Sequence, residues 1–109
     1  MAVMVATMLV INRFRVRADA HASFLTRAEA VVAFFAACPG CEDARVVTNL
    51  DDPGLWAIVT SWADVGSYRR SFNGYQAKMA LMPLLGEAID EPSAYDDPAE
   101  VGRNVPRST

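Results

Sequence analysis

The sequence predicts an α+β domain: a four-stranded antiparallel sheet with two helices on one of its faces. Three observations carry that reading. Long β-rich runs occupy residues 5–16 and Leu55–Trp62. Apolar residues recur at helical spacing over residues 19–38. Turn residues separate the segments in the order β-α-β-β-α-β. A chain of 109 residues, 52% hydrophobic and 21% charged, has room for a single core.

The first strand, residues 5–16, has two apolar faces at its start, with Ala6, Met8, Val10, Asn12 and Phe14 on one side and Val5, Thr7, Leu9 and Ile11 on the other. A strand apolar on both faces belongs in the middle of its sheet, covered above and below. The first helix, residues 19–38, sets Phe24, Ala28, Val31 and Phe35 at i, i+4, i+7 and i+11, with Leu25 and Val32 widening the stripe and Asp19 or Ser23 as its cap. Pro39-Gly40 ends it. A second strand, residues 41–50, leads through Asn49-Leu50-Asp51-Asp52-Pro53-Gly54 into a third, Leu55–Trp62, as a hairpin whose Gly54 is expected to supply positive φ. Asp64 caps a short helix over residues 65–73, with Val65, Tyr68 and Phe72 on one side. Gly74 breaks it. A second piece of the same helical segment follows over Tyr75–Leu85, with Met79, Met82 and Leu85 as its expected inner stripe and Pro83 bending or ending it. Residues 91–96 read as a last edge strand, and residues 98–109 as a loose tail beyond a domain of residues 1–97.

This order is the ferredoxin-like arrangement. Its helices cover one sheet face only, while Leu9, Ile11, Leu55, Ala57 and Val59 make the other face apolar. A lone chain would leave that patch wet, so a homodimer is expected in which two sheets stack into a dimeric α+β barrel.

Ten basic and thirteen acidic residues give a net charge of −3, with no basic excess to draw nucleic acid or an anionic membrane. No apolar run reaches spanning length, and Arg13, Arg15 and Arg17 follow the opening apolar run instead of preceding it, so a cytoplasmic protein is expected. Two cysteines and one histidine fall short of a structural zinc site, and no metal is expected. Cys38-Pro39-Gly40-Cys41 has redox-motif spacing, but it follows a helix C-terminus, where the dipole raises a thiol pKa. It reads as a turn carrying two incidental thiols.

Val10-Ile11-Asn12-Arg13, Pro39-Gly40-Cys41, Asp52-Pro53 and the Trp62-x5-Tyr68 pair, taken in order, resemble the antibiotic biosynthesis monooxygenase domain family over residues 8–96. The resemblance implies a cofactor-independent monooxygenase acting on a small aromatic, polyketide or quinol-type substrate in a pocket between sheet and helices. It implies that Asn12 hydrogen-bonds substrate or dioxygen, and that Trp62 and Tyr68 line the cavity. These three are the candidate catalytic residues; the alternatives are a structural amide for Asn12 and core packing for the aromatics. The candidate substrate-binding residues are Phe14, Trp56, Ile58, Phe72, Tyr75, Met79 and Met82. Arg69, Arg70, Gln76 and Lys78 could hold an anionic group, or form a solvated helix face. The family's asparagine four residues before the tryptophan is Ile58 here, and its later arginine has Met82 near its place.

No cofactor is expected, because a deprotonated aromatic can itself give an electron to dioxygen. No definite general base stands out among Tyr68, Tyr75 and Asp64. The competing function is a non-catalytic dimer that binds a small hydrophobic ligand. Heme binding is disfavoured: His21 precedes the first helix, and the place where heme-degrading relatives carry their axial histidine aligns near Ala80.

Overall fold

The computed structural model describes residues 8–104. The elements are β1 (Met8–Arg15), a 3-10 turn (Ala18–Ala20), α1 (His21–Ala36), β2 (Cys41–Thr48), β3 (Leu55–Trp62), α2 (Val65–Arg70), α3 (Tyr75–Leu85), β4 (Ala94–Tyr95) and α4 (Pro98–Asn104). The sheet order is β2-β3-β1-β4, with every pairing antiparallel. This is the expected ferredoxin-like α+β fold, and β1 takes its interior place. Residues 5–7 of the first expected strand lie outside the described residues.

Register decides which residues meet. Met8 stands opposite Trp62, Val10 opposite Thr60, Asn12 opposite Ile58 and Phe14 opposite Trp56. Because side chains alternate across a strand, all eight share the helix-covered face. On it Met8, Val10, Phe14, Ile58, Thr60 and Trp62 are buried against Phe24, Ala28, Val31 and Phe35 of α1 and Ala77, Leu81 and Leu84 of α3. The stripe expected on α1 is the stripe that is buried.

Several elements differ from expectation. α3 has the expected bounds, but its inner stripe is Ala77, Leu81 and Leu84; Met79 and Met82 are exposed. Both stripes have helical spacing, so periodicity alone could not choose between them; packing against α1 and the shared core buries Ala77, Leu81 and Leu84. Pro83 lies inside α3 near its end, where few intrahelical bonds remain to lose. α1 starts after the 3-10 turn, and no side chain caps it: Asp19 pairs with Arg17 and Ser23 donates to the Ala20 carbonyl. β2 stops at Thr48, because Asn49 turns its amide oxygen onto the N–H groups of Asp51 and Asp52. The same hairpin does not use positive φ at Gly54; the Asp52 carboxylate accepts from the Gly54 N–H instead, and the positive-φ glycines among the described residues are Gly40 and Gly74. β4 is shorter than residues 91–96. Residues 98–104 form α4 where a loose tail was expected, with Asp97 accepting from the Ala99 N–H.

The far sheet face carries Leu9, Ile11, Leu55, Ala57, Val59 and Val47, with Leu9 40% and Val47 36% exposed. Arg13 crosses it in a bidentate pair with Glu91, at 2.7 and 2.8 Å.

Candidate functional site

The aromatic residues of the helix-side face fall into two groups, one at each end of the sheet. At one end, Phe14 packs on Phe24, Phe24 on Trp56 and His21 on Trp56, with ring centroids 5.1, 5.5 and 5.3 Å apart. At the other, Phe35, Trp62, Tyr68 and Phe72 form a continuous cluster with centroids 5.3–6.0 Å apart. The alternation of β3 forces this split, since Trp56 and Trp62 are six residues apart on one face, about 20 Å at about 3.3 Å per residue.

Asp64 builds the second group. Its extended backbone ends β3, and its carboxylate accepts from the Ser67 N–H at 2.7 Å. That bond, chiefly, holds its carboxyl below the usual carboxylate range. The cap starts α2 so that Tyr68 lies one turn in, its ring against the Trp62 indole. Trp62 itself is sealed: it has no exposure, and its indole N–H donates to the Thr60 hydroxyl at 2.8 Å. Ile58 is equally sealed and Phe72 is half-buried.

Tyr68 borders a small apolar cavity of about 180 Å³, lined also by Met8, Val65, Arg69, Ala94, Tyr95, Asp96 and Val101. Burial pushes the Tyr68 hydroxyl's pKa up, partly offset by the Ser93 side chain and the Arg69 charge. The phenol therefore stays protonated at neutral pH and can donate a hydrogen bond. Met8, Ala94 and Val101 were not singled out in the sequence. Pairing of β4 with Leu9 and Val10 would have brought Ala94 here; Val101 depends on α4, which composition hid.

Asn12 is half-buried on the same face, and no described residue hydrogen-bonds its side chain. Four strand positions, about 13 Å, separate it from Met8, and it does not border the Tyr68 cavity. Tyr75, Met79 and Met82 are 77%, 56% and 49% exposed on the outer side of α3. The structure thus brings Trp62, Tyr68 and Phe72 together, puts Phe14 and Trp56 at the opposite end, and leaves the α3 residues outside.

Two further clefts flank the core. One, of about 370 Å³ beside Phe14 and Phe24, is bordered by Arg15, Arg17 and Arg27 together with Asp19 and Glu87. Each arginine is already paired, with Asp52, Asp19 and Glu87 respectively. The other, of about 430 Å³, takes in Cys38, Ser67, Arg70 and Gln76. Arg69 and Arg70 thus face different cavities, and Lys78 is exposed.

His21 is half-buried with its Nε2 3.2 Å from the Val16 carbonyl, against Trp56, while Ala80 is exposed on α3. Among the described residues no three His, Cys, Asp or Glu side chains gather as a metal site, and no helix is long and apolar enough to cross a membrane.

The fold is shared with solved structures. SnoaB, a cofactor-independent oxygenase from Streptomyces nogalater, is 21% identical over 95% of this chain and 96% of its own, with a TM-score of 0.69. A conserved protein from Methanosarcina mazei Go1 is 21% identical over 84% of this chain and 92% of its own, with a TM-score of 0.68. No curated protein matches the sequence. The family model described as antibiotic biosynthesis monooxygenase matches residues 7–80, more than half of the chain. The chain belongs to the antibiotic biosynthesis monooxygenase family.

Proposed function

We propose that the protein is a cofactor-independent monooxygenase for a small aromatic, polyketide- or quinol-type substrate, bound in the Tyr68 cavity. The observation that carries this reading is the half-buried Tyr68 phenol, packed on Trp62, at the wall of a largely apolar cavity. Drug-sized ligands occupy about 300–1,000 Å³, so 180 Å³ suits a compact ring system. In such a space a hydrogen bond to a phenolate or enolate oxygen is worth more than in water.

The roles follow from position. Tyr68 donates to the substrate oxygen. Trp62 acts as a positioning residue, holding the Tyr68 ring from below through its own bond to Thr60. Asp64 is committed to its cap and Tyr75 is turned outward, so neither takes the substrate's proton. The deprotonated substrate transfers one electron to dioxygen, and the two radicals join as a peroxide. Loss of water from that peroxide leaves a carbonyl: one oxygen atom stays on the substrate and the other departs as water. Asn12 would serve a ligand long enough to reach past Val10. Two chains pair through the far sheet face, covering Leu9, Ile11 and Val59.

A second reading, ligand binding without turnover, is favoured by one observation: Ile58 stands where the family has an asparagine, and the Trp62 N–H is already used inside the protein. Oxygen uptake with a panel of dihydroxyanthracenes and quinols separates the two. Uptake above the protein-free rate that falls at least tenfold in Tyr68→Phe supports catalysis. Saturable binding by fluorescence without uptake supports the second reading, and neither binding nor uptake removes both.

A further inference from the structure

We infer that the Cys38-Pro39-Gly40-Cys41 turn is a site of reversible intramolecular disulfide formation, driven by a small-molecule disulfide of the glutathione class. The residues between the cysteines set the geometry. Pro39 fixes its own φ, and Gly40 adopts φ +87°, the combination of a type II turn. The Cys41 N–H donates to the Cys38 carbonyl at 3.1 Å. Such a turn holds its first and last Cα atoms within about 7 Å, and a disulfide spans Cα separations of about 4.4–6.8 Å. Closing the bond therefore asks mainly for side-chain rotation. Both thiols are free and half-buried. Each makes one weak contact, Cys38 Sγ to the Phe34 carbonyl at 3.4 Å and Cys41 Sγ to the Asp43 carbonyl at 3.5 Å, so little holds them apart.

Access and support are both present. Cys38 borders the 430 Å³ cleft with Ser67, Arg70 and Gln76, which admits a small disulfide. The turn is also a buttress: the Ala63 N–H donates to the Gly40 carbonyl at 2.8 Å, and the Ser67 side chain lies directly against Gly40. A cross-link there fastens the end of α1 to the start of β2 beneath the first turn of α2.

The step balances as thiol–disulfide exchange. The Cys38 thiolate attacks oxidised glutathione, forming a Cys38–glutathione bond and releasing one glutathione thiolate. The Cys41 thiolate then attacks the Cys38 sulfur, forming the Cys38–Cys41 bond and releasing the second. The two cysteine protons end on the two released thiols. Burial pushes both thiols up, so exchange is slow at neutral pH and accelerates as pH rises.

The test equilibrates the full chain in buffers of graded reduced-to-oxidised glutathione, quenches in acid, alkylates the free thiols and reads intact mass. The expected product is a monomeric chain that has lost two hydrogens and takes up no alkyl group, with a midpoint independent of protein concentration. Wild type is expected to hold at least about tenfold less glutathione adduct than Cys41→Ser, because the second thiol acts at high effective concentration. Adduct that accumulates on wild type without closing overturns the inference. So does formation of cross-linked chain pairs only, or thiols that stay reduced in a buffer that closes the free peptide Cys-Pro-Gly-Cys. Differential melting is the second measurement: the oxidised chain is expected to melt higher than the reduced one, and a lower melting point refutes a preformed turn.

Discussion

Thr60→Val tests the assignment of Trp62 as a positioning residue. Thr60 is 1% exposed and Trp62 is 0% exposed, and the indole N–H has the Thr60 hydroxyl as its partner at 2.8 Å. Valine keeps the shape and removes the acceptor. A buried donor left without a partner costs about 1–3 kcal/mol, and the added methyl returns up to about 0.8 kcal/mol. The net loss is about 1 kcal/mol, and with m-values of about 1–3 kcal/mol/M it lowers the urea midpoint by about 0.3–1 M. Trp62→Phe completes a double-mutant cycle. In that background no N–H remains to be orphaned, so Thr60→Val becomes neutral or slightly stabilising, and the coupling exceeds the about 0.3–0.5 kcal/mol within which independent sites add. Measurements are made at one chain concentration, since self-association would shift the midpoint. Equal effects of Thr60→Val in both backgrounds refute the reasoning, as does unchanged stability combined with weakened ligand binding. Either result would mean that the Thr60 hydroxyl does not hold the indole N–H.

Leu81→Ala is expected to cost about 2–5 kcal/mol and Met79→Ala within about 0.5 kcal/mol, by urea unfolding; the reverse order would place the inner face of α3 on the methionines. Asp64→Ala is expected to lower stability and Asp64→Asn to retain most of it. The Asp64 carboxyl is depressed in the folded state, so the part of its contribution that depends on charge is full above the unfolded value of about 3.9 and fades as pH falls through the folded one; a wild-type advantage over Asp64→Ala that does not shrink at all on acidification contradicts the assignment. Val59→Lys, at the centre of the far face, is expected to convert dimers to monomers in sedimentation at micromolar concentration, and an unchanged mass would move the interface elsewhere.

How legible the molecule was depended on whether a signal was local. β3 and α1 were readable because Trp56, Ile58, Thr60 and Trp62 alternate and Phe24, Ala28, Val31 and Phe35 recur without a competing pattern. The phase of α3 was not, because Met79-Met82 and Ala77-Leu81-Leu84 fit one helix equally well and only tertiary packing chooses. The Asn49 and Asp52 side chains, not glycine geometry, close the hairpin; composition marks a turn there but not its bonding. At the site, Trp62 and Tyr68 were paired through the family resemblance, and the Asp64 cap is what sets their spacing in the structure. The rest of the cavity wall, Met8, Ala94 and Val101, is assembled by long-range pairing of a two-residue strand and by a short terminal helix. No local period records either.

The most direct measurement is oxygen uptake by Ala94→Trp with the best quinol of the panel. Ala94 lines the Tyr68 cavity from an edge strand, so an indole there fills the space with little strain on the core. If the cavity holds the substrate, uptake falls to the protein-free rate while circular dichroism and the urea midpoint stay near wild type. Uptake that persists in the folded variant would place the chemistry somewhere other than beside Tyr68.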